Sequence, residues 1–147
     1  MKRVLIGIDA SPNARDALRW AIDNAEPGDR LELVHGWSVV AIAGLEAPHV
    51  NPALVEVEAH RLLREAADDV ISDDDRERFD IVLTAVHRHP SQALIDLSAE
   101  ADLVVLGRRG LGGFKALLLG SVSSDVVHHA ACPVVVIPPA EVAEEAT

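Results

Sequence analysis

The chain has 147 residues, the size of one ordinary domain; a chain this long buries roughly 68–70% of its unfolded surface and needs neither disulfides nor a structural metal to fold. Hydrophobic residues make up 49% and charged residues 25%, a globular composition. Aromatics are only 3% with no Tyr, too few rings for a platform that stacks single-stranded bases. Lys and Arg number 13 against 24 Asp and Glu, a net charge of -11, which repels nucleic acid and anionic membrane surfaces.

The single cysteine, Cys132, cannot form an internal disulfide, and a reducing cytoplasm is the natural setting. It is expected to be a buried, inert thiol among apolar neighbours. After Met1-Lys2-Arg3 the apolar run 4–8 is too short for a signal peptide. The longest uncharged stretch, 126–140, falls short of the ~20 apolar residues of a membrane-spanning helix.

Five apolar runs have strand length: 4–8, 31–34, 81–86, 103–106 and 134–137. Most lack alternation, so both faces of each strand are expected to be buried, as in a parallel sheet covered by helices. Between the first two, Ser11-Pro12 supplies a hydroxyl cap with proline at the first helical position. Ala14, Leu18, Ala21, Ile22 and Ala25 then share one helical face. A second helix carries Val55, Ala59, Leu62, Leu63, Ala66 and Val70. It should stop near Ser72, because Asp73-Asp74-Asp75 would oppose the negative end of its dipole, and that acidic run reads as a solvated turn. A third helix follows Pro90, with Ala93, Leu94, Leu97 and Ala101 inward, and a fourth carries Val122, Val126, Val127 and Ala130. The segment 36–52, with Trp37, Pro48, His49 and Pro52, exceeds the ~2–6 residues usual for such connections. It reads either as a surface excursion or as a flap over the strand ends.

The order is therefore βαβαβαβαβ, and right-handed crossovers build one open, doubly wound sheet with helices on both faces. Residues 1–140 form this domain, and 141–147 an acidic tail that is expected to fray. Ligands of such sheets bind beyond the carboxyl ends of the strands, where strand order reverses. The first and fourth runs carry no charge and look central, which puts Asp9 and Gly107 at the crevice.

The fourth run leads into Gly107-Arg108-Arg109-Gly110-Leu111-Gly112-Gly113-Phe114-Lys115, which holds four of the nine glycines and a local charge of +3. Glycines let backbone approach a ligand closely, and successive N–H groups make an anion nest. Gly120-Ser121-Val122-Ser123 then opens a helix, whose N-terminus favours phosphate. The hydroxyls of Ser121 and Ser123 are expected to add hydrogen bonds to phosphate oxygens. The P-loop pattern is missing, and Lys115 stands where the dinucleotide fingerprint begun at Gly110 needs a glycine.

Gly107-x2-Gly110-x9-Gly120-Ser121, after an apolar strand and before a helix leading to Cys132-Pro133-Val134-Val135-Val136, resembles the universal stress protein family, in its ATP-binding branch. Val4-Leu5-Ile6-Gly7-Ile8-Asp9-x-Ser11 and Leu33-Val34-His35 are similar to that family's first two strand ends. The resemblance implies a Rossmann-like, five-stranded parallel sheet of order 3-2-1-4-5 and a homodimer through strand Val134–Ile137. It implies that Gly107, Gly110, Gly120, Ser121 and Ser123 hold the phosphates and ribose of ATP; Arg108, Arg109 and Val122, on the same turn and helix start, are expected to join them at the cofactor. Asp9 would face Mg²⁺ through water, its carboxylate left free because Ser11 is busy as a cap. Ile8, Gly36 and Leu106 would lie near the adenine. Arg108-Arg109 is more cationic than in many members. There are two further departures: Gly36 replaces a branched apolar residue, which bears on the adenine contact there, and Arg88-His89-Pro90 replaces a common glycine before the proline, so that the turn after the third strand is expected to differ.

The expected function is that of an ATP-binding, nucleotide-dependent regulator of the stress response. Two alternatives are a slow ATP hydrolase or nucleotidyl transferase, and a nucleotide-free protein-interaction module. His87 with His89, and His128 with His129, lack the convergent spacing of a metal site and read as structural. Trp37 reads as packing.

Overall fold

The computed structural model describes residues 1–38, 51–109 and 119–140. In chain order the elements are β1 (Arg3–Gly7), α1 (Pro12–Asn24), β2 (Arg30–Gly36), α2 (Pro52–Val70), α3 (Asp73–Arg78), β3 (Asp80–Val86), α4 (Pro90–Ser98), β4 (Leu103–Gly107), α5 (Ser121–His129) and β5 (Val134–Ile137). All strand pairs are parallel, and the spatial order is β3-β2-β1-β4-β5. The sheet is thus the Rossmann-like one expected. Register is set by pairs such as Val4 with Leu31, Val4 with Leu103, and Val104 with Val134.

Burial on both faces explains the unbroken apolar runs. In β1, Val4 and Ile6 pack with Leu31, Leu33 and Val105 against Leu18 and Ile22 of α1 and Leu63 of α2. Leu5, between them, packs with Val34, Val104 and Leu106 against Ala93 and Leu94 of α4 and Val126 of α5. Each such fully buried Leu, Ile or Val contributes roughly 1.5–3 kcal/mol. Glu32 is the exception inside this core. Its carboxylate accepts from Arg3 Nε and Thr84 Oγ1, both at 2.8 Å, which offsets the cost of burying it.

Local signals fix the helix starts. Ser11 Oγ accepts from Ala14 N at 3.3 Å, Asn51 Oδ1 from Ala53 N at 3.0 Å, and His89 Nδ1 from Ser91 N at 3.3 Å. Proline follows each of these caps as the first helical residue. One expectation is corrected. The acidic run after α2 is not a turn but the first turn of α3, a helix beyond the four expected. Ser72 and Asp75 form a reciprocal capping box, with bonds of 3.1 Å each way. Carboxylates that would oppose the end of α2 suit the positive start of the next helix.

At the amino end of the sheet, Asp29 is 6% exposed and accepts from the amides of Lys2 and Glu26, both at 3.0 Å. These bonds, that from Lys2 foremost, hold its carboxyl below its usual pKa. The stabilisation is therefore complete above the unfolded-state pKa and is lost as pH falls through the lower folded value. Asp29→Ala is expected to cost about 1–3 kcal/mol at neutral pH. Urea melts should show the gap to wild type narrowing as pH drops below about 4.

Candidate functional site

In this topology the chain leaves β1 toward β2 and β3 on one side and returns to β4 on the other. The switch point lies between the carboxyl ends of β1 and β4, and a crevice is expected there. Asp9 follows β1, Gly107 ends β4, and the start of α5 comes back to the same neck.

Backbone bonds build that neck. Arg108 N donates to Ile137 O at 2.8 Å, and Arg108 O accepts from Gly120 N at 2.8 Å. Ser123 Oγ donates to Arg108 O at 2.9 Å, with Gly120 O at 3.1 Å. Ser123 is only 2% exposed. The expectation that its hydroxyl faces a phosphate is corrected: the hydroxyl turns inward and ties the helix to the turn after β4.

Gly120 gives α5 no side-chain cap, whereas Ser11, Asn51, Ser72 and His89 cap the other four described helices. The first amide of α5 to bond within the helix is that of Ser124, which donates to Gly120 O at 2.9 Å. The amides of Ser121, Val122 and Ser123 have no partner among the described residues, and they carry the positive end of the helix dipole. On the turn whose carbonyl is bonded by Gly120 N, Arg108 Nε is buried without a hydrogen-bond partner among the described residues. Donors with no acceptor, next to a cationic turn, form an arrangement that accepts an anion. Gly110 and residues 39–50 lie outside the described residues, as does the tail 141–147.

Asp9 departs from its expected freedom. Its Oδ1 accepts from Ser11 N at 2.8 Å and from the Ser11 hydroxyl. A hydroxyl both donates and accepts, so Ser11 caps α1 with a lone pair and gives its proton to Asp9. Only Oδ2 is left without a partner among the described residues. No group of three or more His, Cys, Asp or Glu residues among them could hold a metal by itself.

The residues expected near a base sit differently. Ile8 and Leu106 are both buried, but Ile8 packs toward α1 and α2 and Leu106 toward α4 and α5. Their side chains belong to the core on opposite faces of the sheet, so what they offer at the crevice is backbone. A Cβ on Gly36 would lie 2.6 Å from Pro90 Cα and 2.8 Å from Arg88 O. The departures at Gly36 and at Arg88-His89-Pro90 therefore answer each other, because the missing side chain at 36 makes room for the turn after β3.

Other marked residues are structural. The His87 ring lies flat on Trp37, with centroids 4.1 Å apart and planes at 3°. His128 and His129 donate through Nδ1 to the carbonyls of Ser124 and Asp125 at 2.7 and 3.0 Å. Cys132 is half-buried rather than buried, and its thiol is pushed up in pKa, by burial first and by Asp102 second. That keeps it protonated and unreactive.

No sequence motif marks Asn13, yet it sits at the neck. It is 5% exposed, its Nδ2 donates to Ile137 O at 3.0 Å, and its Oδ1 accepts from Arg109 N at 3.0 Å. The available signal is its place four and eight residues before Ala17 and Ala21, on the buried face of α1.

A doubly wound α/β domain with an uncapped helix start bonded to the turn after β4 is thus defined. The family model described as "Universal stress protein family" matches residues 1–138, and the chain belongs to that family. It is 39% identical over 137 residues to universal stress protein Rv2005c of Mycobacterium tuberculosis, an alignment covering 90% of this chain and 44% of that protein. The chain spans less than half the length of that relative. Among solved structures, the hypothetical protein MJ0577 superposes with a TM-score of 0.71 at 20% identity, covering 93% of this chain and 95% of the other, a likeness of fold. A universal stress protein crystallised in complex with cAMP gives a TM-score of 0.64 at 26% identity, covering 95% and 98%. Among the described residues no helix is long and apolar enough to cross a membrane.

Gly36→Val is expected to cost about 1–3 kcal/mol through overpacking against Pro90, measured by thermal melts. An unchanged melting temperature would show that the turn after β3 yields without cost.

Proposed function

We propose that this chain binds ATP with Mg²⁺ at the switch-point crevice and acts in the cytoplasm as a nucleotide-dependent regulator of the stress response. The observation that carries the reading is the start of α5, where the amides of Ser121, Val122 and Ser123 face no acceptor among the described residues. On the turn bonded to that helix start, the buried Arg108 Nε also lacks a partner among them. Phosphate oxygens are the chemistry that satisfies such donors.

In this reading Gly107, Gly110 and Gly120 bring backbone to the phosphates, and Arg108 and Arg109 supply positive charge in an acidic protein. Ser121 adds its hydroxyl, and the Ser123 hydroxyl keeps the neck closed. Asp9 Oδ2 faces Mg²⁺ through water, and the remaining ligands are waters and phosphate oxygens, the usual company of this ion. The base lies toward the ends of β1 and β2, along the backbone of Ile8, Gly36 and Leu106. The complex of a family member with cAMP supports an adenine nucleotide as the ligand class.

Output would pass to a second copy through β5. That strand is at the edge of the sheet, and Val134–Ile137 are all only partly buried; pairing them removes an apolar open edge.

Calorimetric titration tests the reading. ATP with Mg²⁺ is expected to bind with a Kd below ~1 mM. Asp9→Ala should weaken binding about tenfold with Mg²⁺ present and leave metal-free binding unchanged. No heat of binding at millimolar nucleotide would reject the proposal.

A further inference from the structure

We propose that Asn13 is the positioning residue of the anion crevice; the inference rests on the functional reading above and names what holds that site in shape. A buried carboxamide is costly unless its donor and acceptor are both used. Asn13 meets that condition with two backbone groups at the ends of different strands. Its Nδ2 donates to Ile137 O at 3.0 Å, at the end of β5, and its Oδ1 accepts from Arg109 N at 3.0 Å, just past β4.

The β4–β5 ladder ends at the pair Gly107 with Ile137. Arg108 N still reaches Ile137 O, at 2.8 Å. Asn13 accepts from the next amide, Arg109 N, and donates to Ile137 O as well, so its carboxamide bridges the exit of β4 and the end of β5. The exit of the chain from β4 at Arg109 is held by this side chain.

Gly107 makes the arrangement possible. A Cβ there would fall 2.7 Å from Asn13 Cγ and 2.8 Å from its Oδ1. Glycine at 107 thus admits the Asn13 carboxamide, a reason independent of any ligand. One turn further along α1, Asp16 Oδ2 accepts from Ala140 N at 3.2 Å. The first turns of α1 therefore grip the chain on both sides of the end of β5. Binding sites tolerate displacements of only about 0.5 Å in their supporting groups, so releasing this grip acts on anion affinity as well as on folding.

The test uses inorganic tripolyphosphate, which carries no base, titrated calorimetrically into the full chain. Asn13→Ala is expected to bind about tenfold more weakly than wild type. Ile22→Ala, which loosens the buried face of the same helix away from the crevice, is expected to bind like wild type. Circular dichroism establishes that each variant is folded at the temperature used. In Asn13→Ala the Arg109 amide should also exchange faster with solvent while those of Leu5 and Ile6 stay protected. If Asn13→Ala does not fold, Asn13→Leu, which keeps the volume and withdraws both donor and acceptor without adding charge, takes its place with the same expectation. Wild-type affinity in a folded Asn13 variant, or equal weakening in Ile22→Ala, overturns the positioning role. A wild type that binds neither tripolyphosphate nor ATP overturns the functional reading and this inference together.

Discussion

The carbonyl of Arg108 accepts from Gly120 N at 2.8 Å and from Ser123 Oγ at 2.9 Å, while the amide of the same residue donates to Ile137 O at 2.8 Å. Three segments meet at that one peptide neighbourhood: the exit of β4, the entry of α5 and the end of β5. Because Ser123 spends its proton on this carbonyl and Gly120 has no side chain, nothing among the described residues covers the first amides of α5. A helix start is tolerated in that state when an outside acceptor, water or anion, reaches it. Ser121 is exposed and Val122 partly so, while Ser123 is buried, so it is the first residues of the helix that solvent, or an anion in its place, reaches.

Charge sharpens the selection. The chain as a whole is strongly acidic, yet the turn after β4, whose Arg108 carbonyl is bonded by Gly120 N at the start of α5, carries two arginines. Long-range steering would keep polyanions such as DNA away, while a small ligand seated within a few ångströms experiences the local cations and the helix dipole. The proposed base end is shaped by packing instead. Gly36 and the Arg88-His89-Pro90 turn are matched in volume, and this pairing replaces the side chain that the family pattern places at the end of the second strand.

Much of the architecture is legible in the residues. The strands are marked by unbroken runs of Leu, Val and Ile, such as 103–106, which a sheet covered on both faces requires. The glycine spacing from Gly107 to Gly120 locates the neck. What escapes a reading of the sequence has physical reasons. The acidic residues 73–75 are unfavourable to the helix they follow and favourable to the helix they begin, and composition does not say which of the two governs. Ser11 is legible as an acceptor for α1, but its proton, which goes to Asp9, leaves no mark in the sequence. Asn13 looks like any polar residue in a first helical turn, because its partners, Ile137 O and Arg109 N, are 124 and 96 residues away in sequence.

The central claim is that the uncapped amides of α5 are the chain's phosphate donors. Two-dimensional nitrogen–proton NMR of the protein titrated with ATP and Mg²⁺ tests it most directly. The largest amide shifts should fall on Ser121, Val122 and Ser123, with Arg108 and Arg109 following. Saturable shifts elsewhere, with those five amides unmoved, would contradict it.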